Sequence, residues 1–317
     1  MAAVGMVLCA GLGTRLRPIT DLLPKTAIPV CGHPLVRFAL GLLAGAGVER
    51  AVVNVHHLPE AMEAAARAAA AELGLALAIS REPELAGTGG ALREARALLA
   101  GADAVVLLNG DVLFDVDLAA ALADHRASGA LATMLLLPMP PGAPFAAVEL
   151  DREGRVRRIA GRSGPGGEGL SPWHFPGVHL LSPALLDLVP AAPRALDVNH
   201  EVYPPLLERG LVRGRVVAGA WSDLGTPARY LEAVLDLAAG RFPAGRFALG
   251  GPPERISPAA VVEPGAQVSA EAVVGAGCLV PAGARVDRAV LWPGTRLAPG
   301  EAVVSTIAAG ALRVPAR

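Results

Sequence analysis

The stretch Val4-Gly5-Met6-Val7-Leu8-Cys9-Ala10-Gly11-Leu12-Gly13-Thr14-Arg15, followed by Pro24-Lys25-Thr26, decides how this chain is read. Val4–Cys9 is a short apolar run that breaks into a glycine-rich turn, the pattern of a buried strand feeding a loop. Glycines in such a loop let backbone N–H groups approach an anion closely. Arg15 and Arg17 add positive charge. Lys25 is the single lysine among 28 Lys and Arg side chains. A chain that uses arginine everywhere else keeps lysine where a compact point charge is needed. An ammonium slides between phosphate oxygens, whereas a guanidinium demands a planar fork.

Outward from this stretch, short apolar runs alternate with longer helical ones. Strands are expected at Val4–Cys9, Arg50–Val55, Leu75–Ser80 and Ala104–Leu108, with helices at Pro34–Gly47, Pro59–Leu73 and Gly89–Leu99 between them. The alternation predicts βαβ units: an α/β domain with a Rossmann-like mixed, mainly parallel sheet and helices on both faces. A helix over Asp117–Ser128 follows, then strands at Leu131–Leu137, Ala146–Leu150 and Val156–Ile159, a glycine-rich loop from Gly161 to Gly169, and strands at Gly177–Leu181 and Arg215–Ala218. Pro227–Ala239 reads as a helix with proline in its first turn. This first unit spans 1–240, and the Gly- and Pro-rich 241–255 reads as a linker.

Beyond the linker the period changes. Val262, Val268, Val274, Val280 and Val286 recur every six residues; after a five-residue step, Leu291, Leu297 and Val303 resume the spacing. A six-residue period fits neither helix nor hairpin. It predicts a hexapeptide β-solenoid over 256–317 with aliphatic residues stacked inside. Removing everything after Arg241 is expected to leave a folded first domain that has lost an assembly contact.

Composition narrows the function classes. The formal net charge is −1 with no basic block, so nucleic acid is not an expected partner. Cys9, Cys31 and Cys278 are too few and too scattered for a disulfide framework or a zinc cluster. No apolar stretch is long enough to span a bilayer, and the N-terminus lacks a signal-peptide pattern. A cytoplasmic protein without a membrane partner is expected. His56, His57 and His179 have no metal-ligand partner spacing and read as structural. Position 16 is Leu where a dinucleotide fingerprint wants Gly or Ala, and the second strand ends in Asn54-Val55-His56 without an acid. A Walker loop is absent as well. Hydride transfer is therefore disfavoured, while phosphate binding remains.

With these residues on the page, the chain closely resembles the sugar-1-phosphate nucleotidyltransferases. The resemblance is carried by Gly11-Leu12-Gly13-Thr14-Arg15-Leu16-Arg17-Pro18, Pro24-Lys25, Gly87-Thr88-Gly89-Gly90, Asn109-Gly110-Asp111, Val202-Tyr203-Pro204 and Trp221-Ser222-Asp223-Leu224-Gly225-Thr226-Pro227. It covers roughly 4–239 in the family's order. The style is closest to the mannose-1-phosphate guanylyltransferase-like group, with N-acetylmuramate-1-phosphate uridylyltransferases nearby. The repeats resemble the left-handed β-helix that many members carry.

The resemblance implies a nucleoside triphosphate and a sugar-1-phosphate as substrates, with Mg²⁺. It implies a nucleotide held by Leu8, Ala10, Gly11, Gly13, Thr14, Arg15, Glu82, Gly87, Thr88 and Gly110. Arg15 would grip the leaving phosphates, and Lys25 would bridge the α-phosphate and the sugar phosphate. Asp111 and Asp223 would hold the metal; Arg15, Lys25 and Asp111 are the catalytic set. Glu149, Gly177, Asn199 and Arg162, with Lys25, would meet the sugar phosphate. Glu82 favours GTP, because a carboxylate accepts from guanine N1–H and N2 together but opposes the carbonyls of uracil. The family's second lysine is missing, and the corresponding stretch reads Arg157-Arg158-Ile159-Ala160-Gly161-Arg162; its Tyr-Gly is here Phe145-Ala146. Competing readings are a UTP-dependent uridylyltransferase, a non-catalytic regulatory paralogue, and a bifunctional enzyme with an acyltransferase solenoid. The solenoid has no histidine to act as a general base, so it reads as an oligomerisation or regulatory element of a homo-oligomer.

Overall fold

The computed structural model describes residues 2–140, 142, 145–163 and 168–316. The expected 161–169 loop lies partly outside the described residues, at 164–167. The first half alternates as the sequence predicts: β1 (Val4–Leu8), α1 (Val36–Gly45), β2 (Arg50–Val55), α2 (Pro59–Leu73), β3 (Ala76–Arg81), α3 (Gly87–Glu94) and β4 (Val105–Asn109). β1 pairs in parallel with β2 on one side and β4 on the other, and β2 pairs in parallel with β3. The order β3–β2–β1–β4 therefore reverses direction at β1. In an open α/β sheet, a crevice opens at that point, beyond the carboxyl ends of the strands. The loop after β1 and the Asn109-Gly110-Asp111 turn after β4 both end there.

The sheet then continues as a mixed extension. β5 (Val112–Val116) and α4 (Leu118–Ser128) lead into β6 (Ala132–Pro138). β7 (Val148–Leu150), β8 (Val156–Ile159), β9 (Arg162–Ser163) and β10 (Ser171–His174) form its antiparallel flank, and β11 (Val178–Leu181) sits between β4 and β6. Asp117 caps α4 by accepting from Ala120 N–H. The strand expected at Arg215–Ala218 lies instead at β12 (Val212–Val216), because its parallel pairing with Ala132–Leu136 of β6 sets its span. The helix expected at Gly89–Leu99 runs only from Gly87 to Glu94 and gives way to turns. β13 (Gly219–Asp223) lies outside the main sheet and pairs antiparallel with β5. Its last residue, Asp223, stands opposite Val112, next to Asp111.

β13 leads into α5 (Pro227–Ala238), capped by the Thr226 hydroxyl and amphipathic, with Tyr230, Leu231, Val234 and Leu235 buried. The C-terminal segment then forms short strands that pair in parallel. Val261 lies opposite Leu279 and Gln267 opposite Arg285, 18 residues apart. Ala272 lies opposite Ala289 and Val290 opposite Ile307, 17 residues apart. Three six-residue sides make one coil, and the single five-residue step accounts for the shorter interval. Val274, Val280, Val286, Leu291, Leu297 and Val303 are buried as expected. Val262 is not; it is 38% exposed, because the first coil has no coil stacked before it.

These coils do not stand apart. Val290, Trp292 and Ile307 share one apolar cluster with Tyr230, Leu231 and Val234 of α5 and with Ile28 and Val30 near Lys25. Trp292 Nε1–H donates to the Tyr230 hydroxyl at 2.9 Å, and that hydroxyl donates to the Pro29 carbonyl at 2.5 Å. Truncation after Arg241 therefore strips the cover from several large side chains, each contributing roughly 1.5–3 kcal/mol when buried. We expect the truncated chain to melt about 10 °C or more below the full-length protein, or to aggregate. Calorimetry of the two forms reads this directly; equal melting temperatures refute it.

Candidate active site

Four segments meet at the crevice: the loop after β1, the Lys25–Ala27 3₁₀ turn, the turn joining β4 to β5, and the turn after β13. The first folds onto the second only because Gly13 has no side chain. Its φ is +60°, and a Cβ there would lie 2.9 Å from Thr20 Cγ2 and 3.0 Å from Lys25 Cβ. Lys25 is 6% exposed. Its Nζ donates to Asp111 Oδ2 at 2.7 Å and lies 3.9 Å from Asp223 Oδ1. Asp223 Oδ2 in turn accepts from Arg229 Nη1 at 2.5 Å. A Cβ built on Gly225 would sit 2.7 Å from Asp223 Oδ1 and 2.9 Å from Arg15 Nη2, so the bare backbone lets Arg15 reach the same carboxylate region.

Above this ion network lies a cavity of about 370 Å³, within the usual size of a small-molecule site. Leu8, Ala10, Gly11, Gly13, Thr14, Arg15, Lys25, Glu82, Gly87, Thr88 and Asp111 line it, which gathers most of the expected nucleotide and catalytic residues in one place. Gly110 does not line it; a Cβ there would be 2.8 Å from Cys9 Sγ, so it packs beneath the strand ends. Glu82 is not a solvated surface acid. Its Oε1 accepts from Asn54 Nδ2 at 2.8 Å and its Oε2 from Ala86 N–H at 3.0 Å, while Asn54 Oδ1 accepts from Cys9 N–H. The network fixes the floor of the cavity, and each Glu82 oxygen keeps a second acceptor site. Thr88 Oγ1 accepts from Val198 N–H at 2.8 Å and ties α3 to the 196–202 segment.

Of the expected sugar residues, Lys25 lines this cavity, whereas Glu149, Gly177 and Asn199 do not. Glu149 is on β7, 3.5 Å from Arg158. Gly177, at φ +103°, packs against the Asn109 side chain. Asn199 has a buried Oδ1 with no partner. Arg162 falls on β9, and its side chain lies outside the described residues. Phe145, His174 and Trp221 pack together with ring centroids 4.4–5.3 Å apart, leaving His174 Nε2 and Trp221 Nε1 buried without partners. The three histidines read as structural are occupied. His56 bonds the Glu82 carbonyl, His57 the Thr20 carbonyl, and His179 the Tyr203 hydroxyl. Burial pushes the His179 pKa down to about 3, so its ring stays neutral. All three cysteines are free and buried.

Among the described residues no group of three or more His, Cys, Asp or Glu side chains could hold a metal. Asp111 and Asp223, converging on one ammonium, form a pair of hard oxygen donors. That donor set fits Mg²⁺, which commonly takes one or two carboxylates and completes its shell with phosphate oxygens and water. The sequence did not single out Asn54, Asn109 or Arg229 for the site. Arg229 follows Asp223 by six residues across a strand–helix turn, a spacing that no periodicity connects.

A nucleotidyl transferase family model matches residues 4–240. The mannose-1-phosphate guanylyltransferase of Mycobacterium tuberculosis is 31% identical over 298 residues, covering 93% of this chain and 81% of that protein. A mannose-1-phosphate guanylyltransferase catalytic subunit beta of Danio rerio is 28% identical over 272 residues, 81% of this chain and 72% of its own length. The UTP–glucose-1-phosphate uridylyltransferase of Synechocystis is 31% identical over 242 residues, 72% of this chain and 62% of its own length.

Proposed function

Because this chain belongs to the nucleotidyl transferase family, we propose that it transfers a nucleotidyl group from GTP to mannose-1-phosphate, releasing pyrophosphate. The observation that carries this reading is the buried Lys25 ammonium, 2.7 Å from Asp111 and 3.9 Å from Asp223, at the wall of a glycine-lined cavity. A sugar-phosphate oxygen attacks the α-phosphorus in line. Such a displacement needs positioning and charge neutralisation more than covalent help. Arg15 holds the leaving phosphates, and Lys25 moves onto the phosphate oxygens that meet at the reacting phosphorus. Asp111 and Asp223 would hold Mg²⁺, which supplies further neutralisation of the phosphate charge. The base lies towards Glu82 and the sugar towards Glu149, Asn199 and the Phe145–His174–Trp221 cluster.

GTP is favoured by the second acceptor sites of the Glu82 carboxylate and by the two guanylyltransferase relatives. The uridylyltransferase relative keeps UTP as the second reading. Pyrophosphate release measured with each NTP against several sugar-1-phosphates separates them. GTP is expected to exceed UTP and dTTP by about tenfold or more in kcat/KM. The opposite ranking establishes the uridylyltransferase reading, and no release with any pair leaves the non-catalytic paralogue.

The coil intervals of 18 and 17 residues support reading the C-terminal repeats, 256–317, as a left-handed β-helix, one that packs on the catalytic half rather than standing as a separate unit. Val261, 56% exposed on the first coil, supports a homo-oligomer formed there. No helix among the described residues is long and apolar enough to cross a membrane, and a cytoplasmic location accords with the free cysteines.

A further inference from the structure

The two carboxylates that suit a divalent cation are both already paired with cations of the chain itself. Asp111 bonds Lys25 at 2.7 Å, and Asp223 lies between Lys25 at 3.9 Å and Arg229 at 2.5 Å. The inner pair is unlike an ordinary surface pair, although Asp111 and Arg229 at its rim are 39% and 41% exposed. Arg17 and Asp21, for comparison, have side chains 58% and 55% exposed, whereas Lys25 and Asp223 are at 7% and 14%. Charges so poorly exposed are weakly screened, so an ammonium there and a divalent ion cannot share the carboxylates cheaply. The pairing also has a direction of release. Lys25 lines the cavity beside the glycine loop, so a polyphosphate entering there offers the ammonium a stronger anion than Asp111.

We propose that Lys25 and Arg229 together fill the divalent-cation position of the resting site, and that metal enters with the phosphate groups that draw these cations away. This rests on the nucleotidyl-transfer reading for the identity of the phosphate ligand, but its core concerns the metal alone. Arg229, which the sequence did not mark, is a positioning residue in this scheme. It steers Asp223 and yields it when the metal arrives. Metal and nucleotide then bind with positive coupling, and free Mg²⁺ does not occupy the site ahead of substrate.

The test is Mn²⁺ binding to the full-length protein without nucleotide, followed by the electron paramagnetic resonance signal of free Mn²⁺. Wild type is compared with Lys25→Met, which preserves length and burial, and with Arg229→Gln. Removing one weakly screened like charge a few ångströms away is expected to tighten Mn²⁺ binding about tenfold or more for Lys25→Met. A smaller tightening in the same direction is expected for Arg229→Gln, and Asp223→Asn added to either variant should abolish the gain. Circular-dichroism melts establish that each variant is folded; if Lys25→Met is not, Arg229→Gln carries the test alone. Equal Mn²⁺ affinity in wild type and variants, or no binding in any of them, overturns the proposal. Loss of the nucleotidyl-transfer reading would show separately, as no pyrophosphate release by wild type with any donor.

Discussion

Lys25→Arg is expected to yield a folded protein that releases pyrophosphate roughly 10²–10³-fold more slowly than wild type. The usual reasons to treat Arg as equivalent fail here. The side chain is 6% exposed, its Cβ sits 3.0 Å from where a Gly13 Cβ would be, and its ammonium is shared between Asp111 and Asp223. A guanidinium is wider and prefers one carboxylate in a bidentate fork. It would lock onto Asp111 and lose the freedom to move onto phosphate. Overpacking of this kind typically costs about 1–3 kcal/mol, which a domain of this size tolerates. Steady-state kinetics with a thermal melt read both halves of the prediction. Turnover near wild type in the folded variant would remove the point-charge argument.

Asp111→Asn and Asp223→Asn should each lower Mg²⁺-dependent turnover by a comparable or larger factor, for different secondary reasons. Asp111 is 39% exposed and faces the cavity. Its amide replacement keeps shape, loses charge and should change stability by no more than about 1–2 kcal/mol. Asp223 is more enclosed than a surface ligand, at 14% exposure, and answers two cations. Its replacement takes the charge from the one carboxylate that Lys25 and Arg229 share, so a larger stability loss is expected there. A magnesium titration of rate in each variant is the measurement. Full activity at ordinary Mg²⁺ in either would show that its carboxylate is not a ligand.

Much of this site was legible before any coordinates. The lone lysine, the glycine pair and the acid after Asn109-Gly110 all lie on loops that follow apolar strands, and such loops of an α/β sheet converge by topology. What was not legible depends on ladders between distant segments. β5 begins one residue after Asp111, in a stretch the sequence leaves unassigned, and its pairing with β13, which draws Asp223 to Asp111, leaves no local trace. From the sequence, Glu82 reads only as a residue that meets the base. Its hydrogen bonds to Asn54 and Ala86 come from neighbours on a parallel strand and a helix start, neither visible as a spacing. The six-residue period gave the coil repeat, but its burial pattern fails on the first coil, where Val262 is exposed and Val268 only half-buried.

The hydroxyl of Tyr230 joins an indole from the C-terminal coils to the backbone that follows Lys25. A crossover between two homologous genes anywhere in the 231–291 interval would hand the phenol to one parent and the indole to the other. Of the three partners, Pro29 offers only a carbonyl and is indifferent to sequence, but Tyr230 and Trp292 must be matched in size and in donor and acceptor. The repeats are therefore inherited with the half they cover rather than traded as a cassette. A functional chimera of two relatives has to place its junction so that both rings come from the same parent.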